Sequence, residues 1–99
     1  MNGEKHDEDK LDWTLLPIES VEKVIEVLQF GAIKYGRENW KHIENADRRY
    51  IAAAYRHMAE YLKGESSDVE SGLPHLAHAA ASILFVLYFD DGFDKFEKK

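Results

Sequence analysis

The sequence predicts an all-α domain with three main helices, over residues of about 18–35, 48–63 and 73–89. In the first two segments, apolar residues recur at the three- and four-residue spacing of an amphipathic helix. In the third segment they occupy nearly every position, as in a helix buried on several faces. Glycine follows the first two segments, where it suits a helix end. No stretch shows the alternation that is typical of a half-buried strand.

The first helix is predicted to begin at Ile18, directly after Pro17, and to end at Gly36. Before it, residues 1–10 are charged and without periodicity, which predicts a flexible polar tail. The next segment is too apolar for a free tail, so we expect its side chains to pack onto the body: Trp13, Leu15 and Leu16. A single all-α domain is predicted over 11–92, with a polar C-terminal end over 93–99.

The second and third helices carry recognisable start signals. Asp47 is predicted to cap the second helix. Ser71 or Gly72 could cap the third, with Pro74 in its first turn. Two other helices in a chain of 99 residues leave part of the apolar third helix uncovered. We therefore predict that the bundle is completed by association of chains into a dimer or tetramer.

Composition excludes several classes of protein. The formal net charge of −6 argues against a nucleic-acid backbone or an anionic membrane as the main partner. The absence of cysteine excludes disulfides and thiolate metal sites. The N-terminus lacks the apolar core of a signal peptide. The longest apolar run, Ala79–Phe89, is too short to span a bilayer. We expect a soluble, cytoplasmic protein, in the host cytoplasm if a phage encodes it.

The stretch from Arg56 to His78 concentrates the residues that can bind a metal or move a proton. His57 and Glu60 are three residues apart on one helix, and His75 and His78 are three apart on the next, so the two pairs can converge across an acidic turn. Carboxylate and imidazole together suit transition metals, whereas carboxylates alone favour Mg²⁺ or Mn²⁺. The simpler interpretation is that the histidines are hydrogen-bonded core residues and the acids are helix caps. The candidate metal ligands are His57, Glu60, Glu65, Asp68, Glu70, His75 and His78.

A second group lies between Gly31 and Trp40. It offers two cations, an amide and two flat rings, the side chains needed to hold phosphate and stack a base. Alternatively, the rings are core anchors and the cations are solvated. With Arg56 as a further candidate for phosphate contact, the candidate substrate-binding residues are Lys34, Tyr35, Arg37, Asn39, Trp40 and Arg56.

Three runs of the chain carry a family resemblance: KLDWTLLP, FGAIKYGRENW and RHMAEYLKGESSDVESGLPHLAHAAASILF. Over about residues 9–89, the sequence resembles the N-terminal domain of the phage and bacterial dATP/dGTP diphosphohydrolases. That family is grouped with the all-α, MazG-like nucleoside triphosphate pyrophosphatases. The resemblance implies a MazG-like helical bundle, cleavage of a nucleoside triphosphate to monophosphate and pyrophosphate, and assembly as a dimer or tetramer.

The resemblance also implies a divalent metal, Mg²⁺ or Mn²⁺, held by acids on two helices. MazG-like proteins carry ExxE on one helix and ExxD on the next. The corresponding positions here are His57 with Glu60, and His75 with His78. This substitution leaves three possibilities open: the acids of the turn take over the metal, a softer transition metal is used, or hydrolysis has been lost.

The leading hypothesis is a metal-dependent pyrophosphohydrolase acting on dATP and dGTP. Glu65 or Glu70, or one of the histidines, is the candidate catalytic base. One alternative is a non-catalytic helical module: a nucleotide or metal sensor, or a phage protein that binds a host partner. The other is a structural dimer whose histidines satisfy one another.

Overall fold

The computed structural model describes residues 7–90, which form three α-helices and three short 3₁₀ turns. The helices are α1 (Ile18–Tyr35), α2 (Ala46–Leu62) and α3 (His75–Phe89). The 3₁₀ turns are Asp7–Asp9, Trp13–Leu15 and Asn39–His42. No strand occurs among these residues, so the all-α prediction is confirmed. Within the same range, no helix is both long and apolar enough to cross a bilayer.

The three helices pack through small side chains. α2 lies along α3, and α1 packs more lightly against the same helix. Buried alanines face the helix contacts, and small residues there let helix backbones approach closely. They are Ala54 on α2 and Ala77, Ala79 and Ala81 on α3. Between α1 and α3 the core is Val27, Ala77 and Ala81, with Val24, Leu28 and Leu73 packed around it.

The bounds of α1 agree with the prediction, and Gly36 ends it with a φ of 103°, a conformation that glycine adopts readily. α2 begins two residues earlier than expected. Its N-cap is Asn45, in the left-handed conformation, so the predicted cap Asp47 is wrong and this residue lies in the first turn. There its carboxylate accepts a hydrogen bond from the backbone N–H of Arg48 at 2.8 Å.

α3 begins later than predicted because the preceding segment is held in a hydrogen-bonded loop. The backbone N–H of Asp68 donates to the carbonyl of Leu73 at 2.8 Å, and that of His75 donates to the carbonyl of Ser66 at 2.9 Å. These bonds accompany an isolated antiparallel bridge between Ser67 and Pro74. Pro74 is therefore the N-cap residue of α3 and does not lie in its first turn, and neither Ser71 nor Gly72 is the cap.

The prediction that the segment before α1 packs onto the body is wrong. Trp13 and Leu15 are 70% and 80% exposed, and Leu16 is 42% exposed. Their turn is held locally, because the carboxylate of Asp12 caps it by accepting from the backbone N–H of Thr14 at 3.1 Å. Residues 1–6 of the predicted tail and all of the predicted C-terminal end, 93–99, lie outside the described part of the chain.

α3 exposes apolar side chains on one face, which bears on the predicted association of chains. Ile83, Leu84 and Leu87 are 48%, 49% and 60% exposed. Covering such a face would remove apolar surface from water, which stabilises by about 25 cal/mol per Å². Light scattering at micromolar concentration should give at least twice the chain mass of 11.5 kDa. A mass of a single chain would contradict the prediction.

Candidate functional site

A cleft of about 720 Å³ opens between α1, the 3₁₀ turn Asn39–His42, α2 and α3. Its volume falls within the range of small-molecule sites, about 300–1,000 Å³. The rings around Trp40 form one part of the lining, which we call the aromatic end, and the polar side chains around Asp68 form another part, which we call the polar end. The polar lining consists of Lys34, Arg37, Arg56, His57, Asp68, Glu70 and His78, and the aromatic side chains on the wall are Phe30, Tyr35, Trp40, Tyr50 and Phe85.

The aromatic end is built on Trp40. Its indole stacks on the ring of Phe85, with centroids 4.3 Å apart and planes inclined by 14°. Tyr50 meets Phe85 edge to face at 4.9 Å, and Tyr88 meets the indole in the same way at 4.8 Å. Burial raises the pKa of the Tyr50 hydroxyl. These ring contacts pack the 3₁₀ turn Asn39–His42 against the C-terminal half of α3 and hold the aromatic wall of the cleft in place.

The cations of the polar end lie near the end of α1 and on α2. Lys34 forms an ion pair with Glu70, and the hydrogen bond with that carboxylate raises the pKa of the ammonium group. The two side chains are 38% and 58% exposed. Exposed pairs of this kind contribute little to stability, so Lys34 can change partners at little cost.

Three histidines converge where α2 meets α3. His57 and His78 stack face to face, with centroids 4.5 Å apart and planes inclined by 12°. Nδ1 of His57 lies 2.8 Å from Nδ1 of His75, and Nε2 of His75 lies 2.7 Å from Oε1 of Glu65. His75 is only 3% exposed, whereas the side chain of Glu65 is 44% exposed. The rings therefore form one connected group, with His57 on the cleft and His75 behind it.

The loop between α2 and α3 places Asp68 beside these histidines. Its carboxylate accepts hydrogen bonds from the backbone N–H groups of Glu70 at 3.1 Å and Ser71 at 2.9 Å. Gly64 and Gly72 supply the positive φ angles, 105° and 74°, that the tight path of the loop requires. Oδ2 of Asp68 lies 3.9 Å from Nε2 of His78. That nitrogen also makes a 2.7 Å hydrogen bond with the hydroxyl of Ser71.

The protonation of these groups follows from their surroundings. Burial lowers the pKa of His57, and the neighbouring His78 and His75 lower it further. Burial likewise lowers the pKa of His78, against the opposing attraction of Asp68. Burial opposes ionisation of Asp68, but its hydrogen bonds with Ser71 and the nearby His78 and His57 together lower the pKa of this carboxyl. Near neutral pH the cleft therefore holds neutral imidazoles beside an ionised carboxylate.

These shifts predict that the protein loses stability in mild acid. His57 and His78 have folded-state pKa values below the ordinary 6.5, so below about pH 6.5 the unfolded chain binds more protons than the folded one. The stability that the neutral forms of these two histidines contribute is therefore present above that pH and is lost as the pH falls. One such proton changes the free energy of unfolding by at most about 1.4 kcal/mol per pH unit. Urea unfolding at pH 7.5 and 5.5 checks this.

His57→Gln should reduce the difference in the free energy of unfolding between the two pH values. An identical free energy at pH 7.5 and 5.5 in the unaltered protein would contradict the expectation. The carboxyl of Asp68 does not confuse the comparison, because its pKa is lowered from 3.8 and it titrates in a more acidic range.

One nitrogen each of His57 and His75 and one oxygen of Asp68 lie within 4.8 Å of one another. Ligands bound to one ion at about 2.0–2.2 Å lie at most about 4.4 Å apart, so a small contraction would bring all three into reach. A set of two imidazole nitrogens and a carboxylate oxygen suits Mn²⁺, Fe²⁺, Co²⁺, Ni²⁺ or Zn²⁺ better than Mg²⁺ or Ca²⁺.

Comparison with known proteins identifies the family. The family model described as dATP/dGTP diphosphohydrolase, N-terminal, matches residues 1–99. This chain belongs to that family. A relative from Salmonella phage PMBT28, named dATP/dGTP diphosphohydrolase, is 38% identical over 88 residues. The match covers 89% of this chain and 30% of the relative, so the chain spans less than a third of that protein. No solved structure matches.

In this chain, all six candidate substrate-binding residues lie on the cleft. The seven candidate metal ligands separate. His57, Asp68, Glu70 and His78 line the cleft, and His75 stands behind His57. Glu65 bonds to His75, and Glu60 is turned to Lys63, with their charged atoms 3.1 Å apart. Of the two carboxylates that are candidate bases, only Glu70 is on the cleft wall.

Sequence reasoning missed several residues of this N-terminal domain. Phe85 and Tyr50 form the aromatic wall, but each also fitted the apolar pattern of its helix. Ser71 was considered only as a helix cap, whereas its hydroxyl contacts His78. The signal that could have indicated Ser71 is its place seven residues before His78, across a turn that returns the chain to the start of α3.

Proposed function

We propose that this domain binds a purine deoxynucleoside triphosphate with a divalent metal ion in the cleft, and hydrolyses it to the monophosphate and pyrophosphate. The proposal rests on one observation: the same cleft has an aromatic wall, three cationic side chains and a group of side chains that could hold a metal ion. The purine and its triphosphate come from the name of the phage relative.

Each end of the cleft suits one end of such a substrate. A purine ring can pack against the aromatic wall around Trp40 and Tyr50, where flat apolar surface is available. The triphosphate then extends toward Lys34, Arg37 and Arg56. One guanidinium group can bind two phosphate oxygens at once. Lys34 can exchange the exposed carboxylate of Glu70 for phosphate. Local cations thus offset the acidic net charge of the chain.

His57 and Asp68 would hold the metal ion from the cleft, with His75 behind His57. When bound, such an ion polarises a phosphate oxygen and lowers the pKa of water. Glu70 is the carboxylate on the cleft wall that is placed to accept a proton from water, once phosphate has displaced it from Lys34. Glu65 reaches the cleft only through His75.

Pyrophosphate release tests the proposal. Folded protein would be incubated with dATP, dGTP, dCTP and dTTP, each with Mg²⁺, Mn²⁺, Co²⁺ or Zn²⁺. We expect release from the purine nucleotides, dependent on the metal, and faster with a transition ion than with Mg²⁺. Arg56→Ala should raise KM with a smaller effect on kcat, because it removes a phosphate contact outside the metal group. No release with any pair would reject hydrolysis by this domain.

A second candidate is a binding module without catalysis, favoured by the match to only 30% of the phage relative. The remainder of such a longer protein could then supply the reaction. This candidate predicts that a purine nucleotide with metal raises the melting temperature while no pyrophosphate appears. Running the thermal-shift panel beside the release assay distinguishes binding with turnover from binding alone.

A further inference from the structure

Two short contacts connect a carboxylate to the cleft through two imidazoles. Oε1 of Glu65 lies 2.7 Å from Nε2 of His75, and Nδ1 of His75 lies 2.8 Å from Nδ1 of His57. We call Glu65, His75 and His57 the imidazole relay. His75 is buried, and only the far member, His57, lines the cleft. Each contact requires one proton between its two atoms.

The position of each proton follows in order from the carboxylate. An ionised carboxylate can only accept a hydrogen bond, so Nε2 of His75 carries a proton and donates it to Glu65. If His75 is neutral, it has one N–H, so its Nδ1 is then the acceptor. In that state the contact at 2.8 Å has Nδ1–H of His57 donating to His75. With that proton on Nδ1, the other nitrogen of His57, Nε2, is unprotonated.

The ring of His57 is also held in place. It stacks on His78 with planes inclined by only 12°, and His78 is itself fixed by its 2.7 Å hydrogen bond with Ser71. A ring flip that exchanged Nδ1 and Nε2 would break the bond to His75. Packing and hydrogen bonding thus hold the His57 ring in one orientation. Nε2 is then the ring nitrogen that remains available to bind a ligand.

We propose that His75 is neutral in this relay, and that Glu65 and His75 are positioning residues that hold the proton of His57 on Nδ1 and keep its Nε2 free to bind a metal ion in the cleft. His75, whose two ring nitrogens are both engaged, then supports His57 from behind and does not itself bind the ion. This assignment deepens the proposed function and rests on it for the role of the ion, but the proton positions belong to the metal-free protein and can be measured there.

The test is a long-range ¹H–¹⁵N correlation spectrum of the metal-free full chain labelled with ¹⁵N-histidine at pH 7.5. Nitrogen shifts distinguish protonated from unprotonated ring nitrogens. We expect His75 protonated on Nε2 and His57 protonated on Nδ1. A proton on Nε2 of His57, or a doubly protonated His75, would overturn the proposal. This measurement needs no variant and no activity, so its outcome is separate from that of the hydrolysis assay.

Variants then test the role of Glu65. Glu65→Ala removes the acceptor and should leave His57 as a mixture of both tautomers, with Mn²⁺ affinity lowered about 10- to 100-fold. Glu65→Gln retains a carbonyl acceptor and should restore much of that affinity. Glu44→Ala, at an exposed carboxylate in the segment before α2, is the matched control and should change neither quantity. Unchanged tautomers and affinity in folded Glu65→Ala would overturn the positioning role.

Discussion

Asp68→Asn is expected to lower pyrophosphate release from dGTP on the order of 100-fold or more, with little loss of stability. Asp68 is the carboxylate of the group that could hold the ion, and its ionised form is favoured by the surrounding hydrogen bonds. Asparagine keeps an oxygen that can accept from the backbone N–H groups of Glu70 and Ser71. The loop should therefore remain in place while the negative charge is lost. Steady-state kinetics with Mn²⁺ and thermal unfolding measure the two effects.

Asp12→Asn is the matched control for this change. Asp12 also caps a local turn by accepting from a backbone N–H, but it lies in the exposed segment before α1. The control should retain full activity. If Asp68→Asn retains activity as well, binding of the ion does not depend on this carboxylate. If Asp68→Asn loses the fold, its role is structural and the kinetic comparison does not support a metal site.

Trp40→Ala is expected to cost about 3 kcal/mol of the free energy of unfolding, near the lower end of the range for a tryptophan in a core because Trp40 is only partly buried. The substitution removes the ring that stacks on Phe85 and meets Tyr88, and so detaches the 3₁₀ turn from α3. For a domain of this size, that corresponds to a fall in melting temperature of more than about 10 °C.

Trp13→Ala provides the same chemical change at an exposed position. Trp13 is 70% exposed, so its removal should alter the free energy of unfolding by less than about 0.5 kcal/mol. Trp40→Phe should recover part of the stability, because a smaller ring can still stack on Phe85. Equal losses in the two alanine variants, measured by urea unfolding, would show that the aromatic wall is not what holds the turn.

Periodicity alone predicted the three helices, because the spacing of apolar residues is a direct consequence of helix geometry. The ends were harder to predict where local hydrogen bonds compete with the helix. Asn45 adopts a left-handed conformation, so α2 begins before the predicted residue. The bridge between Ser67 and Pro74 makes α3 begin after the predicted residue. Trp13 shows a further limit: an apolar side chain indicates a tendency to be buried, but not which surface covers it.

The candidate site could be predicted as a neighbourhood but not as a set of contacts. Helical spacing and the acidic turn indicated that His57 would approach the histidines of α3, which it does. The same spacing suggested that His75 and His78 act together, whereas one bonds to Glu65 and the other to Ser71. The division of roles among the acids depends on the path of the loop, which long-range packing determines.

The central claim is that the cleft binds nucleotide and metal together, and a crystal structure with Mn²⁺ and a nonhydrolysable dGTP analogue tests it most directly. The account predicts an anomalous Mn²⁺ peak within ligand distance of Asp68 and Nε2 of His57. It places the phosphates near Lys34 and Arg37, with the base against the aromatic wall. An ion bound away from these side chains, or a nucleotide bound outside the cleft, would contradict the account.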